Sequence, residues 1–565
     1  MNFIIQQKDQ LNDVLDIYAE SFLLVPINWN DQGFKTQYSL FHLGNPDSKK
    51  KEYIGSVKIL KINQKANHEH VLVNNFKSLD GSFISLGQTL DYYQRIAELP
   101  PQIGQQLLTS LNDTINNPEL KKPFVFSPGW HESIFREVSD PGEFSKLAAS
   151  ILNKNFKSLT SNNLEFSFKM SDWNSEISFK FGNEELEPRA SEILTNRIIS
   201  IIGRNGSGKS TLLSRIARVA HASEDDRQDP SLAKLGTINP PSIGFPRIIT
   251  ISYSPFDSFK VPGIKSQKTE SNTFSSLTEE EKKREEEIFR RTERNQILHE
   301  MSSGTGRFVF CGLRDIAKEV ISNIENTNLL NNPSFDREIK TSPRPLEAMA
   351  GEFSKNLKKI LLTEEDAELF DEALQHIEYE NTFGYDEALL SISTLMSQDI
   401  ENTFMSWSTG HKIAMQMLAS LVAHTTQSSL VLIDEPETHL HPPLLAALMH
   451  AIRNILDKKK AFAIIATHSP IILQETLRKS VYIINRDEST TEVKHPEIET
   501  FGESIGSLTT QVFELNSRST DFYKTLRKLS ATYSTVSEVE ALFVPYGMSP
   551  QARAFVIGCF AKRKM

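Results

Sequence analysis

A strand-like apolar run that passes directly into a glycine-rich turn and then a helical segment constrains this chain more than any other feature. The run RIISII at 197–202 is followed by GRNGSGKS and then by TLLSRIARVA. This order matches the pattern G-x-x-x-x-G-K-[ST] between a buried strand and a helix. Glycines let backbone N–H groups surround phosphate oxygens, and the start of the helix adds its positive dipole end. The segment therefore predicts a phosphate-binding loop.

Individual residues of this loop have predicted roles toward a nucleotide. Lys209 is placed to reach the β- and γ-phosphates, and the Ser210 hydroxyl to coordinate Mg²⁺. The remaining predicted nucleotide-binding positions of the loop are Gly203, Arg204, Asn205, Gly206, Ser207, Gly208 and Thr211.

A second apolar run ends in two carboxylates. Leu430-Val431-Leu432-Ile433 leads into Asp434-Glu435, and a buried parallel strand emerges at the ligand edge of its sheet. There Asp434 would hold Mg²⁺ through its water shell, and Glu435 would polarise the attacking water as general base. By itself, such a run could equally well end in an ordinary turn.

Two short segments decide between a nucleotide-site strand end and an ordinary turn. Ser408-Thr409-Gly410 precedes a predicted helix at 410–424, and His468 follows the predicted strand AFAIIAT at 461–467. Taken singly, the first is an ordinary helix N-cap and the second a structural histidine. Their order along the chain, together with the phosphate loop and the Asp-Glu pair, is more informative than either segment alone.

These four elements resemble the Walker A, signature, Walker B and H-loop motifs of ABC ATPases, over 195–220 and 400–475. The resemblance implies ATP and Mg²⁺ as ligands and a homodimer, or an oligomer of dimers. It assigns catalysis to Lys209, Glu435 and His468, with His468 contacting the γ-phosphate in cis. It also implies that the Ser408–Gly410 signature, with Thr409 between them, closes over the nucleotide of a second copy.

The sequence departs from that pattern at three places. Thr409 and His411 stand where transporters usually have Gly and Gln, and no clear Q-loop glutamine follows the strand IITISYS. Asp257 occupies that region and is the candidate for the Q-loop role. His439 and His441 could form a metal site on one face of an extended strand, but ETHLHPP resembles the D-loop of non-transporter ABC ATPases.

Composition and length place these motifs in an α/β chain of several units. We predict an ABC-type P-loop ATPase core with an antiparallel β region, a helical insertion and a short C-terminal extension. The 565 residues exceed what one core usually supports. The predicted units are an N-terminal lobe at 1–225, a strand, loop and helical insertion at 226–400, a C-terminal lobe at 401–490 and a partner-binding tail at 491–565.

Charge and cysteine content exclude several classes. A formal net charge of −10 argues against a polycation that coats nucleic acid, so any such contact is expected to be local or through partners. Two cysteines, Cys311 and Cys559, give no disulfide framework and suggest two buried thiols in a cytoplasmic protein. Because no apolar stretch approaches the ~20 residues of a membrane span, no membrane association is expected.

The C-terminal tail resembles one particular family among these ATPases. TFGESIG at 500–506, TTQVFEL, and LSATYSTVSEVEALFVPYGMSPQARAFVIG near the end resemble PtuA, the ATPase family of Septu and some retron-linked anti-phage systems. This implies an HNH nuclease partner of the PtuB type, in some members with a reverse transcriptase and its msDNA and ncRNA. About 80 residues follow VYIIN and contain no D-x-D pair, so we expect no intrinsic Toprim nuclease. The alternative is a DNA-repair or chromosome-associated SMC-like ATPase without a toxic partner.

Overall fold

A computed structural model describes most of the chain in seventeen ranges. These are residues 1–5, 21–27, 32–43, 51–66, 70–72, 74–136, 138–159, 163–182, 196–257, 259–262, 295–301, 303–324, 341–378, 391–397, 399–487, 490–513 and 521–563. The segment TEEEKKREEEIFRRTER at 278–294, whose opposite charges at helical spacing predict a solvated helix, lies outside them.

Fifteen strands are found in the described ranges. They are β1 (Asn2–Ile5), β2 (Ser21–Pro26), β3 (Gln37–Leu43), β4 (Lys51–Lys61), β5 (Phe83–Gly87), β6 (Leu164–Met170), β7 (Ile177–Phe181), β8 (Ile198–Gly203), β9 (Gly236–Asn239), β10 (Ile248–Ser252), β11 (Phe308–Gly312), β12 (Leu430–Asp434), β13 (Phe462–Ala466), β14 (Val481–Arg486) and β15 (Thr491–Lys494).

The α-helices we number are also given by their bounds. They are α1 (Leu90–Glu98), α2 (Pro101–Ser110), α3 (Pro141–Leu152), α4 (Lys209–His221), α5 (Pro230–Ala233), α6 (Ile316–Ile324), α7 (Leu346–Ile360), α8 (Glu364–Glu378), α9 (Ile392–Met396), α10 (Ile400–Ser406), α11 (Thr409–His424), α12 (Pro442–Lys459), α13 (Pro470–Gln474), α14 (Ile505–Ser507), α15 (Asp521–Thr532), α16 (Val536–Glu540) and α17 (Pro550–Arg563).

The N-terminal region is a five-stranded sheet in the order β1 to β5. Strands β2 to β5 pair antiparallel, as the short alternating runs predict, whereas β1 pairs parallel with β2. Helices α1 to α3 share its core, which is rich in aromatic side chains such as Phe22, Tyr92 and Trp130. A Cβ at Gly87 would lie 2.1 Å from Tyr92 Cδ1, so this close approach requires glycine.

The central sheet has the order β11-β10-β12-β13-β8-β14-β15. Its first six strands run parallel, and β15 is an antiparallel edge strand. Two apolar clusters cover its two faces, which explains why the inner strands read as unbroken apolar runs. The registry places Asp434 between Ser252 of β10 and Ala466 of β13, at the carboxyl edge of the sheet. The predicted α/β fold with a P-loop core is confirmed.

Sequence reasoning missed the two edge strands of this sheet, β15 and β11. The segment FVFCG forms β11, which pairs with β10 at the edge. Both β10 and β11 lie inside the predicted insertion at 226–400, so part of that segment belongs to the central sheet. The domain boundaries themselves stay predictions.

Two smaller layers flank the central sheet. The alternating run LEFSFKMSDWNSEISFKF at 164–181 predicts a hairpin, which β6 and β7 form, and β9 completes an antiparallel sheet of three strands. On the other side, helices α7 to α10 pack with α11 and α12 in one apolar cluster. The Asn356 amide also donates to Ser420 Oγ at 3.1 Å, which ties α7 to α11.

The C-terminal helices α15, α16 and α17 form a small unit around Leu526, Val539 and Val556. Cys559 in this unit is only half-buried, unlike the fully buried Cys311, so the expectation of two buried thiols is wrong for Cys559. Among the helices of the described ranges, none combines the length and apolarity that a membrane crossing needs.

Candidate nucleotide site

The turn between β8 and α4 has the geometry of a phosphate cradle. Gly206 and Gly208 adopt φ values of +82° and +99°, which favour glycine. A Cβ at Gly203 would lie 2.5 Å from the Ile484 carbonyl oxygen. Gly208 is the N-cap of α4 and provides no side-chain hydrogen bond. The first N–H groups of α4 are therefore free of a capping side chain and can bind an anion.

Lys209 lies at the start of α4 and is held over the loop. Its Nζ donates to the Gly203 carbonyl oxygen at 3.1 Å and lies 2.7 Å from Nε2 of His468. Burial lowers the pKa of Lys209, while Glu435 and Asp434 oppose that shift. Burial and the neighbouring Lys209 lower the pKa of His468. The imidazole is thus held neutral, with Nε2 accepting from the ammonium group.

Asp434 and Ser210 meet between strand β12 and helix α4. Ser210 Oγ donates to Asp434 Oδ1 at 3.0 Å, and Asp434 is 3% exposed. Burial raises the pKa of Asp434 to about 7, against the effect of the Ser210 hydrogen bond. A hydroxyl and a buried carboxylate beside a phosphate cradle are the oxygen donors that Mg²⁺ prefers, so these residues fit the predicted metal role.

The raised pKa of Asp434 predicts a pH-dependent stability penalty without nucleotide and metal. A carboxyl whose folded pKa is raised destabilises the fold progressively as the pH rises from about 4 through 7. In EDTA at pH 8, we expect Asp434→Asn to raise the unfolding temperature by several degrees, corresponding to on the order of 2–4 kcal/mol. As the pH falls towards 4, the difference between the two proteins should shrink to near zero. Calorimetry at both pH values tests this prediction, and Asp487→Asn at an exposed site is the control that should show no shift. If Asp434→Asn gave no difference at pH 8, the assignment would be refuted.

Glu435 is positioned differently from Asp434, although the two are adjacent. Its backbone has φ +49°, and its N–H donates to the Ala466 carbonyl oxygen at 2.8 Å. Its carboxylate is 35% exposed, and Oε1 lies 3.6 Å from His468 Nε2. An exposed carboxylate beside Lys209 and His468 can accept a proton from water at the end of a bound triphosphate.

Glu437 is a site residue that sequence reasoning missed. One of its carboxylate oxygens accepts from Thr467 Oγ1 at 2.9 Å and from the His468 N–H at 2.6 Å. Burial raises the pKa of Glu437, and the other oxygen, Oε2, is buried without a hydrogen-bond partner. Its spacing two residues after Glu435, in DEPET, is the only signal the sequence offers. Glu437 therefore holds His468 in position by accepting its backbone N–H.

The Ser408–Gly410 segment lies at the start of α11. Ser408 Oγ accepts from the His411 N–H at 3.3 Å, so it is an N-cap. Ser408 and Thr409 are exposed, and a Cβ at Gly410 would lie 3.1 Å from the His439 carbonyl oxygen. Among the hydrogen bonds of the described residues, none joins these three residues to the phosphate loop of the same chain. The other predicted site residues, Lys209, Ser210, Asp434, Glu435 and His468, are brought together.

The two histidines considered for a metal have other roles. His441 is the N-cap of α12, and its Nδ1 accepts from the Leu444 N–H at 3.3 Å. His439 adopts φ +68° in the turn that follows β12. Within the described ranges, no group of three or more His, Cys, Asp or Glu side chains is arranged to hold a metal ion.

Asp257 lies in the loop that follows β10 and is buried beside the site. It forms an ion pair with Arg314, which is itself 1% exposed and paired with Glu319. The negative charge of Asp257 contributes to the raised pKa of Asp434, so the two carboxylates are close. Through its ion pair with Arg314, Asp257 therefore connects the region of Ser210 and Asp434 to the segment after β11.

Together, a parallel sheet, a phosphate loop after β8, an acidic pair after β12 and a histidine after β13 define a P-loop ATPase domain. The family model described as "AAA domain, putative AbiEii toxin, Type IV TA system" matches residues 198–474, which contain the phosphate loop, the acidic pair and the histidine. The chain is also 26% identical to Protein ea59 of Escherichia phage lambda over 508 residues, covering 88% of this chain and 87% of that protein.

Two solved structures show weaker likenesses. The SMC head domain from Thermotoga maritima has a TM-score of 0.27 and 11% identity, covering 60% of this chain and 99% of that chain. Stu0660 of Streptococcus thermophilus has a TM-score of 0.25 and 12% identity, covering 71% and 94%.

Proposed function

We propose that this chain hydrolyses ATP as a head-to-tail homodimer and regulates a partner nuclease in an anti-phage defence complex. The observation that supports the dimer best is the exposure of Ser408 and Thr409 at the N-terminus of α11. Backbone N–H groups at such a helix start attract phosphate oxygens, yet these residues make no hydrogen bond to their own phosphate loop. A second copy facing the first supplies each site with this missing helix start.

Each residue then has a defined task in hydrolysis. The loop and Lys209 hold the β- and γ-phosphates, and Ser210 and Asp434 would hold Mg²⁺, which neutralises charge on the phosphate oxygens. The Glu435 carboxylate orients water and accepts its proton, while Glu437 fixes His468 against the γ-phosphate end. Ser408 and Gly410 of the second copy add hydrogen bonds there, where negative charge develops.

The defence assignment rests on separate support. The matching family model carries a toxin–antitoxin description, and the relative ea59 is a phage protein. The sequence at 500–506 and near the C-terminus resembles the PtuA family. We therefore propose an HNH nuclease of the PtuB type as the partner, joined in retron-type systems by a reverse transcriptase with msDNA. The alternative is a DNA-repair or chromosome-associated ATPase that acts without such a nuclease.

Co-expression with the neighbouring gene products tests the proposal. We expect the purified chain alone to hydrolyse ATP and to leave DNA and RNA uncut with Mg²⁺ or Mn²⁺. Cleavage should appear only in a complex with an HNH protein and should respond to Glu435→Gln in the ATPase chain. Activity that is insensitive to that substitution, or no copurifying nuclease, would favour the alternative. Cleavage by the clean chain, lost on mutation of residues 521–563, would instead show an intrinsic nuclease.

A further inference from the structure

The order of strands decides on which side of the phosphate loop the nucleoside lies. Strand β8 carries the loop and has β13 on one side and β14 on the other. The groups assigned to the γ-phosphate end and its Mg²⁺, Asp434, Glu435 and His468, lie at or just after the carboxyl ends of β12 and β13. A triphosphate whose γ end lies on that side crosses the end of β8, so its nucleoside half reaches the β14 side.

Arg486 is the last residue of β14 and lies at that position. The registry pairs Ile484 with Gly203, the first residue of the loop. A Cβ placed on Gly208 would lie 3.7 Å from Arg486 Nη1 and 3.3 Å from Trp173 Cζ2. The guanidinium group of Arg486 and the Trp173 indole therefore both border the phosphate loop on the side away from His468.

Arg486 shares its carboxylate partner, Asp172, with a second arginine. Its Nη2 donates to Asp172 Oδ2 at 3.2 Å, and the other oxygen of Asp172 accepts from Arg215 Nη1 at 2.7 Å. One carboxylate thus accepts from two guanidinium groups and holds Arg486 in place. Arg215 is 12% exposed, whereas Arg486 is 40% exposed. Arg486 is the member of this group that a ligand can reach.

Trp173 contributes a second, independent observation. Its indole is 3% exposed, so its face is not available for stacking on a base. Its Nε1, which is two bonds from Cζ2, is buried without a hydrogen-bond partner. An unpaired donor so close to the loop is expected where a ligand oxygen completes the hydrogen bonding. The turn that carries Trp173 is fixed to β15 by Ser175 Oγ, which donates to the Thr491 carbonyl oxygen at 2.7 Å.

We propose that the Arg486 guanidinium binds the nucleoside half of ATP by lying over the base, with Asp172 setting its orientation. A planar, weakly hydrated guanidinium suits this role, since it stacks on aromatic rings. A lysine lacks the plane and is expected to substitute only partly. The assignment rests on the proposed nucleotide site and adds a residue for binding the nucleoside.

Titration calorimetry with two ligands tests it in the full chain carrying Glu435→Gln, which slows hydrolysis. In this background, Arg486→Ala should weaken Mg·ATP binding about tenfold, within the range of about 3- to 30-fold for such stacking. Binding of Mg·tripolyphosphate, which has no nucleoside, should be unchanged and shows that the variant is folded. Arg486→Lys should recover part of the ATP affinity. The matched control Arg478→Ala, an exposed arginine at the opposite end of β14, should bind both ligands normally.

The outcomes separate this proposal from the one it rests on. Normal ATP binding by Arg486→Ala overturns the nucleoside contact and leaves the nucleotide site intact. Equal losses for ATP and tripolyphosphate also overturn it, because the side chain would then act on the phosphates. Full ATP binding by Lys209→Ala would instead contradict the phosphate loop itself.

Discussion

Replacing Lys209 by alanine is expected to abolish ATP binding, whereas Glu435→Gln is expected to preserve binding and remove turnover. Lys209 is buried at the loop with its ammonium group aimed at Gly203 and His468, so its loss removes the charge that faces the phosphates. We expect affinity to fall at least about 100-fold, since a charge-assisted contact is lost in a partly buried site. The Glu435 side chain is 35% exposed and lies 3.6 Å from His468. Since the phosphates are assigned to the loop and Lys209, the loss of Glu435 should spare their contacts.

Equilibrium ATP binding and steady-state hydrolysis, measured side by side, distinguish these roles. Glu435→Gln should reduce turnover roughly 10²- to 10⁴-fold, the range for loss of a general base, and should accumulate an ATP-bound dimer detectable by light scattering. Lys355→Ala, an exposed lysine on α7, is the control and should match the wild type. If both site variants lost binding equally, the separate roles given to Lys209 and Glu435 would be wrong.

The main groups of the site were predictable because parallel strands place their carboxyl ends at one edge. Residues 203 and 434 end strands β8 and β12, and residue 468 lies shortly after β13, and all three strands belong to the same sheet. Continuous apolar runs marked β8, β12 and β13 as strands buried on both faces. Chain order and local composition were sufficient to bring these side chains together.

The groups that the sequence did not reveal depend on contacts between distant segments. Glu437 positions His468 only because the turn after β12 folds against the end of β13. Asp172 and Arg486 are 314 residues apart and meet across two sheets. No local periodicity encodes such pairs. Strand β11 was missed for a similar reason, since its short run FVFCG is defined as an edge strand by pairing with β10.

The dimer gives a further prediction with a large effect, because two defective chains should restore activity when mixed. Ser408 lies exposed at the start of α11, where an arginine side chain would obstruct approach to the partner's phosphate loop. Ser408→Arg and Lys209→Ala should each be nearly inactive alone. A heterodimer of the two has one site with both lesions and one site with neither.

The intact site combines Lys209 of one chain with Ser408 of the other, so hydrolysis should partly return. With random mixing at equal concentrations, half of the dimers are heterodimers with one working site, which gives about a quarter of wild-type turnover if sites fire independently. Ser408→Ala is the size control, since it removes the N-cap hydroxyl at a cost of about 1 kcal/mol without blocking the interface. A Ser408→Arg chain with wild-type turnover, and mixtures that only average their components, would reduce Ser408 to a helix cap. Light scattering on the mixture must show dimers, because recovery has meaning only if the two chains associate.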